Sequence, residues 1–416
     1  MKLADIFAMV VGPETDVEFV AYDGSQAGHP GADIRIDLRD PRAVSYIVAA
    51  PSQLGLARAY VAGDLEVEGD MHSALTRLWA VRERKLSLSE KATIARELAP
   101  FLLKRPAPPP EEARLRGGQH SRHRDADAIS HHYDVSNRFY EWVLGPSMAY
   151  TCAVYPTPDT TLEQAQDEKF DLVCRKLELK PGMRVLDIGC GWGGFTLHAV
   201  KNYGVSVIGA TLSQQQAAYG QQRIEEAGLG HQAQIRFSDY RAVQESGFDA
   251  VASIGLTEHI GAKNYASYFS FIHSRLKPGG RLLNHCITRS DVNQRTQTIN
   301  GFINRYVFPD GELVPVGRIV TSMEEQGLEV QHAENLRQHY ALTLRDWCRN
   351  LEANWDEAVQ EVGIGKARVW RLYMAASQVG FDKDVIQLHQ VLATRNDNDG
   401  TSGMPLRPRF ETTAAN

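Results

Sequence analysis

A hydrophobic strand that runs directly into a glycine-rich turn is the feature that most restricts how this chain folds. Residues 185–194 read VLDIGCGWGG, and a helical pattern begins immediately afterwards, at Phe195. Glycine has no Cβ, so a turn with alternating glycines lets the backbone approach a bound molecule closely. In α/β proteins such a turn joins a strand of the parallel sheet to the following helix and borders the binding crevice. A dinucleotide-binding turn and a purely structural turn are the alternatives.

Strands and helices alternate along the chain from residue 179 onward. The strand-like apolar runs and the helical patterns between them are 184–188, 195–202, 205–210, 214–227, 234–237, 248–252, 265–275 and 280–285. Alternation of this kind is typical of a parallel sheet with helices on both faces. We therefore expect an α/β fold with a mostly parallel, doubly wound, Rossmann-like sheet.

The first hundred residues follow a different pattern. Residues 17–22 and 33–38 alternate between apolar and polar, as half-buried strands do, and 54–60 and 71–82 have helical spacing. This pattern predicts a smaller N-terminal α+β domain over residues 1–103. None of its residues has a spacing typical of catalysis, so a packing or docking role is expected.

Residues 104–127 form the clearest boundary in the chain. Four prolines stiffen this segment, and Gly117 and Gly118 loosen it. Between Lys104 and Arg124 its basic residues, which face only Glu111 and Glu112, are Lys104, Arg105, Arg114, Arg116, Arg122 and Arg124. The segment is interpreted either as a solvated linker or as a surface for anionic lipid head groups. A catalytic domain is then expected over 128–398 and a disordered tail over 399–416.

Composition excludes several classes of protein. With 45 Lys and Arg against 51 Asp and Glu, the net charge of -6 argues against a generally basic nucleic-acid binder. The sequence contains no run of about 18 uncharged apolar residues, the length that spans a bilayer. Asp5 near the start, with no small-residue cleavage site after it, argues against a signal peptide. Five widely spaced cysteines predict reduced cytoplasmic thiols and no metal site.

The glycine turn resembles the S-adenosylmethionine (SAM) turn of class I methyltransferases. Asp187 precedes the first glycine, and the glycines follow the order G-x-G-x-G-G, whereas dinucleotide folds use G-x-G-x-x-G. The methionine part of SAM carries an ammonium and a carboxylate in place of a pyrophosphate, which favours a nearby acid and backbone amides. The second strand lacks the acid that conventional members use for the ribose and continues instead into TLSQQQ at 211–216.

That departure, together with six ordered motifs, is similar to the cyclopropane fatty acid synthases and their mycolic acid relatives. The motifs are HHYDVSNRFY at 131–140, MAYTCAVY at 148–155, SIGLTEHIG at 253–261, HCI at 285–287, FINRYVFP at 302–309 and HYALTL at 339–344. The resemblance runs from about Ala128 to Arg395. It implies a class I methyltransferase fold, and it implies that the N-terminal domain docks on lipid.

The resemblance also implies which residues bind SAM. Gln216 would take the ribose in place of the missing acid, and Tyr240 would lie beside the adenine. The full implied set is Tyr150, Thr151, Asp187, Gly189, Gly191, Thr211, Leu212, Gln216 and Tyr240.

The implied reaction is methyl transfer to a cis alkene, which leaves a carbocation that must lose a proton to close a ring. Because such a cation alkylates an ordinary side-chain base, the family is understood to hold a bicarbonate ion as the base. The implied catalytic residues are Glu258 and His285 as proton relays, Tyr340 as a hydrogen-bond donor, and the main chain at Cys152 and Ile287. No metal is implied.

Each candidate also has a structural interpretation. Cys152 is otherwise a small buried residue, Cys190 within the turn is expected to serve packing, and His285 is otherwise a satisfied core histidine. Glu258 is otherwise an acid at a helix start, although its place after a strand favours function. The aromatic residues expected to line an acyl channel or to pack in the core are Tyr133, Tyr155, Tyr306 and Phe308.

The expected activity is SAM-dependent addition of one carbon to unsaturated phospholipid acyl chains, giving a cyclopropane. A methylene-branched product, saturated by a separate downstream reductase, remains the alternative, because Thr151, Thr257 and Cys286 depart from the family pattern. An inactive lipid-binding protein and a small-molecule methyltransferase are the other rivals. We expect a cytoplasmic protein on the inner face of the membrane, with no nucleic-acid partner; the sequence leaves a homodimer open.

Overall fold

The computed structural model describes residues 1–12, 15–81, 85–103, 105–113, 135–293, 301–309 and 311–410. The contacts divide the chain into two compact units. The first unit comprises Met1–Arg114, Thr298–Pro309 and Leu351–Val379, and the second comprises Leu115–Gln297, Asp310–Asn350 and Gly380–Asn416. The sequence predicts continuous domains over 1–103 and 128–398. The contacts instead group two later segments with the N-terminal residues, a relationship that composition along the chain does not reveal.

The first unit begins with a small mixed α/β arrangement. Its elements up to residue 103 are α1 Leu3–Val11, β1 Glu18–Ala21, β2 Gln26–Gly28, β3 Arg35–Leu38, α2 Pro41–Ala49, α3 Gln53–Val61, β4 Leu65–Glu68, α4 Met71–Val81, α5 Leu88–Leu98 and a 3₁₀ helix at Ala99–Leu103. The strand order is β2-β1-β3-β4, with β1 and β3 parallel. Phe19 and Ala21 alternate with half-buried neighbours, as predicted for one buried sheet face.

The described part of the Pro-rich segment is packed within the first unit. Glu112 is buried and binds the Arg58 guanidinium through two contacts of 2.8 Å. The Tyr46 hydroxyl donates to the carbonyl of Ala107 at 2.8 Å, and the Ala113 N–H donates to the carbonyl of Arg305 at 2.7 Å. These contacts hold residues 105–113 in place, and the buried Glu112 carboxylate depends on its Arg58 partner. The segment over these residues is therefore not a solvated linker. Residues 104 and 114–127 lie outside the described residues.

The second unit contains the predicted alternation of strands and helices. Its α-helices and β-strands up to residue 289 are α6 Asn137–Leu144, α7 Leu162–Leu177, β5 Arg184–Ile188, α8 Gly194–Tyr203, β6 Ser206–Thr211, α9 Gln214–Glu226, β7 Ala233–Phe237, β8 Phe248–Ile254, α10 Thr257–Ile260, α11 Tyr265–Arg275 and β9 Leu276–Arg289. Side-chain caps begin several of these helices: the Ser136, Thr161 and Ser213 hydroxyls each accept a backbone N–H of the first helical turn.

The remaining elements were not predicted as individual strands and helices. They are α12 Phe302–Tyr306, α13 Val316–Glu324, β10 Glu329–Asn335, α14 Arg337–Ala353, α15 Trp355–Val362, α16 Ile364–Asp382 and β11 Ile386–Thr394. Strands β10 and β11 complete a seven-stranded sheet of order β10-β11-β9-β8-β5-β6-β7. Strand β11 is antiparallel to both neighbours, and the pairs from β9 to β7 are parallel.

Successive residues of the central strands serve opposite faces of this sheet. Val185 and Leu283 pack with α7 and α8 on one face, whereas Leu186 and Leu282 pack with α11 and α13 on the other. Both faces are covered by helices, so the strands read as continuous apolar runs. The expected mostly parallel, doubly wound sheet is confirmed.

The expected disordered tail is not found over residues 399–410. The Arg175 Nε donates to the carbonyl of Phe410 at 2.8 Å, and the Phe410 ring lies 5.0 Å from the His332 ring. Arg281 donates to the carbonyl of Gly403 at 3.2 Å. Met404 and Phe410 pack against the hydrophobic core, which explains why this segment is ordered. The polar residues around them gave no indication of this packing in the sequence. Within the described part of the chain, no helix has the length and apolar character needed to cross a membrane.

Candidate active site

The glycine turn after β5 combines one crowded position with one open position. Gly189, Gly191 and Gly193 have φ angles of 75°, 55° and 76°, a region that favours glycine. A Cβ on Gly193 would lie 2.4 Å from Ile235 Cδ1, so a larger residue there would force the Ile235 side chain to move. A Cβ on Gly191 would meet no atom within 4 Å. The turn is therefore rigid at its base and open at Gly191, where a ligand can approach the backbone.

Asp187, the predicted acid of the turn, is almost fully buried at the end of β5. Its carboxylate accepts a hydrogen bond of 2.8 Å from the Thr196 hydroxyl. Burial raises the pKa of Asp187 to about 7, and the Thr196 hydrogen bond and the charge of Lys169 partly oppose that rise. A buried carboxyl with a strongly perturbed pKa at a strand end is typical of a functional position.

The end of β6 lies beside this turn because the two strands are parallel neighbours. The Gly189 N–H donates to the carbonyl of Ala210 at 2.9 Å. The buried Thr211 hydroxyl then donates to Gln216 Oε1 at 2.8 Å, which orients the glutamine predicted to take the ribose. Leu212 follows at the same edge and is half-buried.

Tyr240, the predicted neighbour of the adenine, follows β7 in a short 3₁₀ helix. Its ring packs edge-to-face against Tyr268 and Phe271, with both centroid distances 5.2 Å. The aromatic packing holds the ring in one orientation, and its contact with an adenine stays a prediction.

Residues 148–153 form a loop that meets the strand ends. The Thr151 hydroxyl accepts a hydrogen bond of 3.1 Å from Lys169 Nζ, and its methyl lies 3.1 Å from where a Cβ on Gly255 would stand. The Cys152 thiol is buried and donates to the carbonyl of Ala153 at 3.1 Å. Burial raises the pKa of Cys152 well above its ordinary value, so the side chain is a neutral thiol and not a nucleophile.

Lys169 is a site residue that the sequence analysis missed. It lies on α7, is 1% exposed, and places Nζ 3.7 Å from the centroid of the Phe170 ring. Burial lowers its pKa to about 7, and the nearby Cys152 and Asp187 oppose that change. Among the residues that the structure describes, no carboxylate forms an ion pair with it. A lysine on the apolar face of an amphipathic helix is the sequence signal that could have indicated this residue.

Glu258 connects the end of β8 to strand β9. Its Oε1 accepts a hydrogen bond of 2.7 Å from the main-chain N–H of Ile287, and Oε2 is buried with no hydrogen-bond partner in the described part of the chain. Burial raises the pKa of Glu258 to about 7, so the carboxyl changes charge near neutral pH. In this structure the Ile287 N–H, expected to help bind an anion, binds Glu258 instead.

His285 lies on β9 opposite Ile254 of β8 and is fully buried. Its Nδ1 is 3.2 Å from the Nε2 of Gln390, whereas its own Nε2 has no hydrogen-bond partner among the described residues. Burial lowers the pKa of His285 well below its ordinary value, with the charges of Lys169 and Lys176 acting in the same direction. The interpretation as a fully satisfied core histidine does not hold, because one ring nitrogen is left without a partner.

A row of aromatic rings connects Tyr340 to the glycine turn. Tyr340 is buried at the start of α14, and its ring lies 6.0 Å from that of Trp347. Trp347 stacks on Tyr150 at 5.4 Å, and Tyr140 bridges Tyr150 to Trp192 at 5.9 and 4.6 Å. Tyr150 and Tyr340 were predicted as site residues from the sequence, but Trp347, whose ring contacts both of theirs, was not.

The predicted acyl-channel residues are not all in one unit. Tyr306 and Phe308 belong to the first unit, where Phe308 packs edge-to-face on Tyr373 at 5.9 Å. Tyr155 belongs to the second unit and donates its hydroxyl to Asp346 at 2.9 Å. Tyr133 lies outside the described residues. The described residues contain no cluster of acids, histidines and cysteines suited to a metal ion.

The seven-stranded sheet with its antiparallel β11, together with the glycine turn after β5, defines the second unit as a class I methyltransferase fold. Residues 120–391 match the family model described as mycolic acid cyclopropane synthetase. A probable fatty acid methyltransferase of Mycobacterium tuberculosis is 55% identical over 406 residues, which are 95% of this chain and 95% of that relative.

A cyclopropane-fatty-acyl-phospholipid synthase of Escherichia coli (strain K12) is 38% identical over 271 residues, covering 65% of this chain and 68% of that protein. Among solved structures, a mycolic acid cyclopropane synthase complexed with SAH and CTAB superimposes with a TM-score of 0.61 at 31% identity. That match covers 64% of this chain and 97% of the other. The chain belongs to the mycolic acid cyclopropane synthetase family.

Proposed function

We propose that this protein transfers one carbon from SAM to the cis double bond of unsaturated phospholipid acyl chains and closes a cyclopropane ring. The observation that carries the proposal is a pair of buried atoms, Glu258 Oε2 and His285 Nε2, without partners among the described residues. Buried polar atoms are nearly always hydrogen-bonded, so two such atoms near neighbouring strand ends indicate a ligand. A protein that only bound lipid would have no use for this pair.

The sulfonium methyl group of SAM would supply the carbon. The chain's own residues fit that ligand: Gly191 leaves its backbone accessible, and Gln216 is already oriented by Thr211 at the neighbouring strand end. Asp187 places a buried carboxyl below the turn, which suits a nearby ammonium group. The solved relative with SAH bound supports the same ligand class for this fold.

Ring closure requires removal of a proton from the newly attached methyl group. A bicarbonate ion, the base that the family resemblance implies, would accept that proton. The chain fits such an ion in part. Glu258 presents a carboxyl with a pKa of about 7, suited to holding or releasing a proton near neutral pH. Tyr340 belongs to the same unit, but the Ile287 N–H is engaged by Glu258, so fewer donors remain than expected.

A methylene-branched product is the second candidate, and one comparison favours it. The relative that is 55% identical over 95% of this chain is named a probable fatty acid methyltransferase. Two departures from the family pattern also meet in the structure. The Thr257 hydroxyl donates to Asn284 Oδ1 at 2.6 Å, and Asn284 Nδ2 contacts Cys286 Sγ at 3.2 Å. A hydride shift in the carbocation before proton loss would give this product, and a separate reductase would then saturate it.

Membrane phospholipids are proposed as the partner, reached by peripheral association at the inner face of the cytoplasmic membrane. In the first unit, helix α5 has no buried residue, and Leu88 and Leu103 are 85% and 89% exposed. Exposed leucines next to basic residues suit a surface that enters the lipid head-group region. Arg105, two residues after Leu103, is also exposed.

Product analysis tests the proposed function. The purified protein is incubated with vesicles of an unsaturated phosphatidylglycerol and SAM carrying a ¹³C-labelled methyl group, and the fatty acids are then released as methyl esters. A labelled product with cyclopropyl proton resonances supports cyclopropane formation, and a labelled product with exomethylene resonances supports the second candidate. Mass alone does not separate the two, because a ring and a methylene branch are isomers. SAM binding without label in any lipid would contradict both.

A further inference from the structure

Four buried or half-buried polar side chains form a continuous network of polar contacts. Three of them lie on neighbouring strands and the fourth lies on a helix. The register places Glu334 of β10 opposite Gln390 of β11, and Gln390 opposite His285 of β9. Lys176, near the end of α7, reaches over the same sheet face and binds both Glu334 and Gln390. Lys176, Gln390 and His285 are all fully buried. No motif in the sequence analysis included Lys176, Gln390 or Glu334.

The donors and acceptors in this network can be assigned in only one consistent way. Lys176 forms an ion pair with Glu334, so its ammonium has three donors and no acceptor. The Gln390 atom 2.7 Å from Lys176 Nζ must therefore be the oxygen Oε1. Gln390 then presents its NH₂ group to His285, 3.2 Å from Nδ1. A neutral imidazole that accepts at Nδ1 carries its proton on Nε2.

We propose that Lys176 and Gln390 are positioning residues that fix His285 as the Nε2–H tautomer, so that the imidazole offers its ligand a hydrogen bond. The ligand atom that this donor suits is an oxygen with a free lone pair, such as that of an oxyanion. This assignment deepens the proposed function, because it names the role of one atom of the pair on which that function rests.

The groups around His285 favour a neutral imidazole that donates a hydrogen bond, and they disfavour an imidazole that takes up and releases a proton. Lys169 and Lys176 both disfavour the imidazolium form, and burial lowers the pKa of His285 further. Glu258, whose carboxyl approaches β9 at Ile287, changes charge near neutral pH and is the better proton acceptor of the two. The relay role expected for His285 from the family resemblance is thus replaced by a role in holding an oxygen atom.

Nitrogen NMR of the full-length protein labelled with ¹⁵N-histidine tests the tautomer directly. The His285 signals are assigned by their loss in His285→Gln, and two-bond correlations from the ring protons distinguish the two nitrogens. We expect one species with a protonated Nε2 and an unprotonated Nδ1 at neutral pH. A protonated Nδ1, or an imidazolium, would overturn the inference.

Two substitutions test the positioning residues. Gln390→Met keeps the side-chain length but removes the amide that faces Nδ1, and Lys176→Met removes the cation that orients that amide. In both variants we expect a mixture of His285 tautomers and turnover about 10- to 100-fold lower, the effect typical of removing an orienting partner. SAM affinity is expected to change by less than about threefold, because neither side chain belongs to the glycine turn.

The matched control is Gln234→Met on the exposed part of strand β7, which should change neither the His285 spectrum nor turnover. An unchanged spectrum in both Gln390→Met and Lys176→Met would contradict the inference even if activity fell. The spectrum of the native protein does not depend on any reaction. If His285 is the Nε2–H tautomer but the protein modifies no lipid, only the proposed function is refuted. If the protein is active but His285 is protonated at Nδ1, only this inference is refuted.

Discussion

Glu258 and Ile287 are joined by a hydrogen bond of 2.7 Å from the main-chain N–H of Ile287 to Glu258 Oε1. This bond holds one carboxyl oxygen against strand β9 and leaves the other, Oε2, buried without a partner among the described residues. The carboxyl therefore has a defined orientation and one oxygen, Oε2, that is available to a ligand. That combination suits a group that exchanges a proton with a ligand.

Glu258→Gln is expected to lower turnover by about 100-fold or more, the scale of general-base catalysis, because the amide cannot take up a proton. Gln retains an oxygen for the Ile287 N–H, so SAM affinity measured by calorimetry should stay nearly unchanged. Tyr340→Phe should have a milder effect, since it removes one hydroxyl. Near-native turnover in Glu258→Gln, or an activity loss that tracks loss of SAM binding, would contradict the role.

Glu258 should also make the protein less stable as pH rises from about 4.5 to 7. Its pKa is raised to about 7 from 4.5, so in this window the folded state holds more protons than the unfolded state, and the free energy of unfolding falls with pH. Glu258→Gln should gain stability relative to the native protein at pH 8, by on the order of 3 kcal/mol at most. The gain should vanish near pH 4.5. Urea unfolding at both pH values measures it, and an equal difference at both would contradict the assignment.

Gly191→Val is expected to abolish SAM binding, because the new side chain would occupy the open side of the glycine turn. Valine is strained at a φ of 55°, so a control with the same strain is needed. Gly182→Val supplies it: Gly182 has a φ of 85° and open space around its Cβ position, in the turn before β5. Calorimetry should show lost binding only in Gly191→Val. Equal SAM affinities in the two folded variants would reject the site.

Lys169→Met is expected to weaken SAM binding by about tenfold, because Lys169 holds the Thr151 hydroxyl and faces Asp187 from the buried side of α7. Burial lowers the pKa of Lys169 to about 7 from 10.5, so the unfolded state holds more protons between these values and native stability rises with pH there. Lys169→Met should abolish that rise in denaturant titrations. Lys201→Met, on the exposed side of α8, is the control and should change neither property.

Replacing the basic residues Lys104, Arg105, Arg114 and Arg116 with Gln is expected to weaken binding to anionic vesicles by about 1 kcal/mol per charge near the surface. Raised salt should weaken binding of the native protein in the same way. Vesicle sedimentation measures both effects, and Arg407→Gln with Arg409→Gln, on exposed positions of the second unit, is the control. Binding that responds to neither change would assign docking to the apolar residues of the first unit.

The central part of the fold could be predicted from the sequence because its signals are local. The strand over 184–188 and the helix over 265–275 were predicted with the bounds that the structure shows. The glycine turn indicated the ligand class through residues that are adjacent in the chain. Strands β10 and β11 were not predicted; β10 in particular is a largely polar edge strand with no regular alternation of buried residues.

The site depends on contacts between residues far apart in the chain, and no local pattern indicates these. Lys176 and Gln390 are separated by 214 residues, and sheet register brings Gln390 and His285 together across 105. The sequence by itself determined which chemical groups follow each strand. Only the tertiary structure decided their state, because burial raises the pKa of Glu258 and keeps His285 neutral, and the sheet register places Gln390 beside His285.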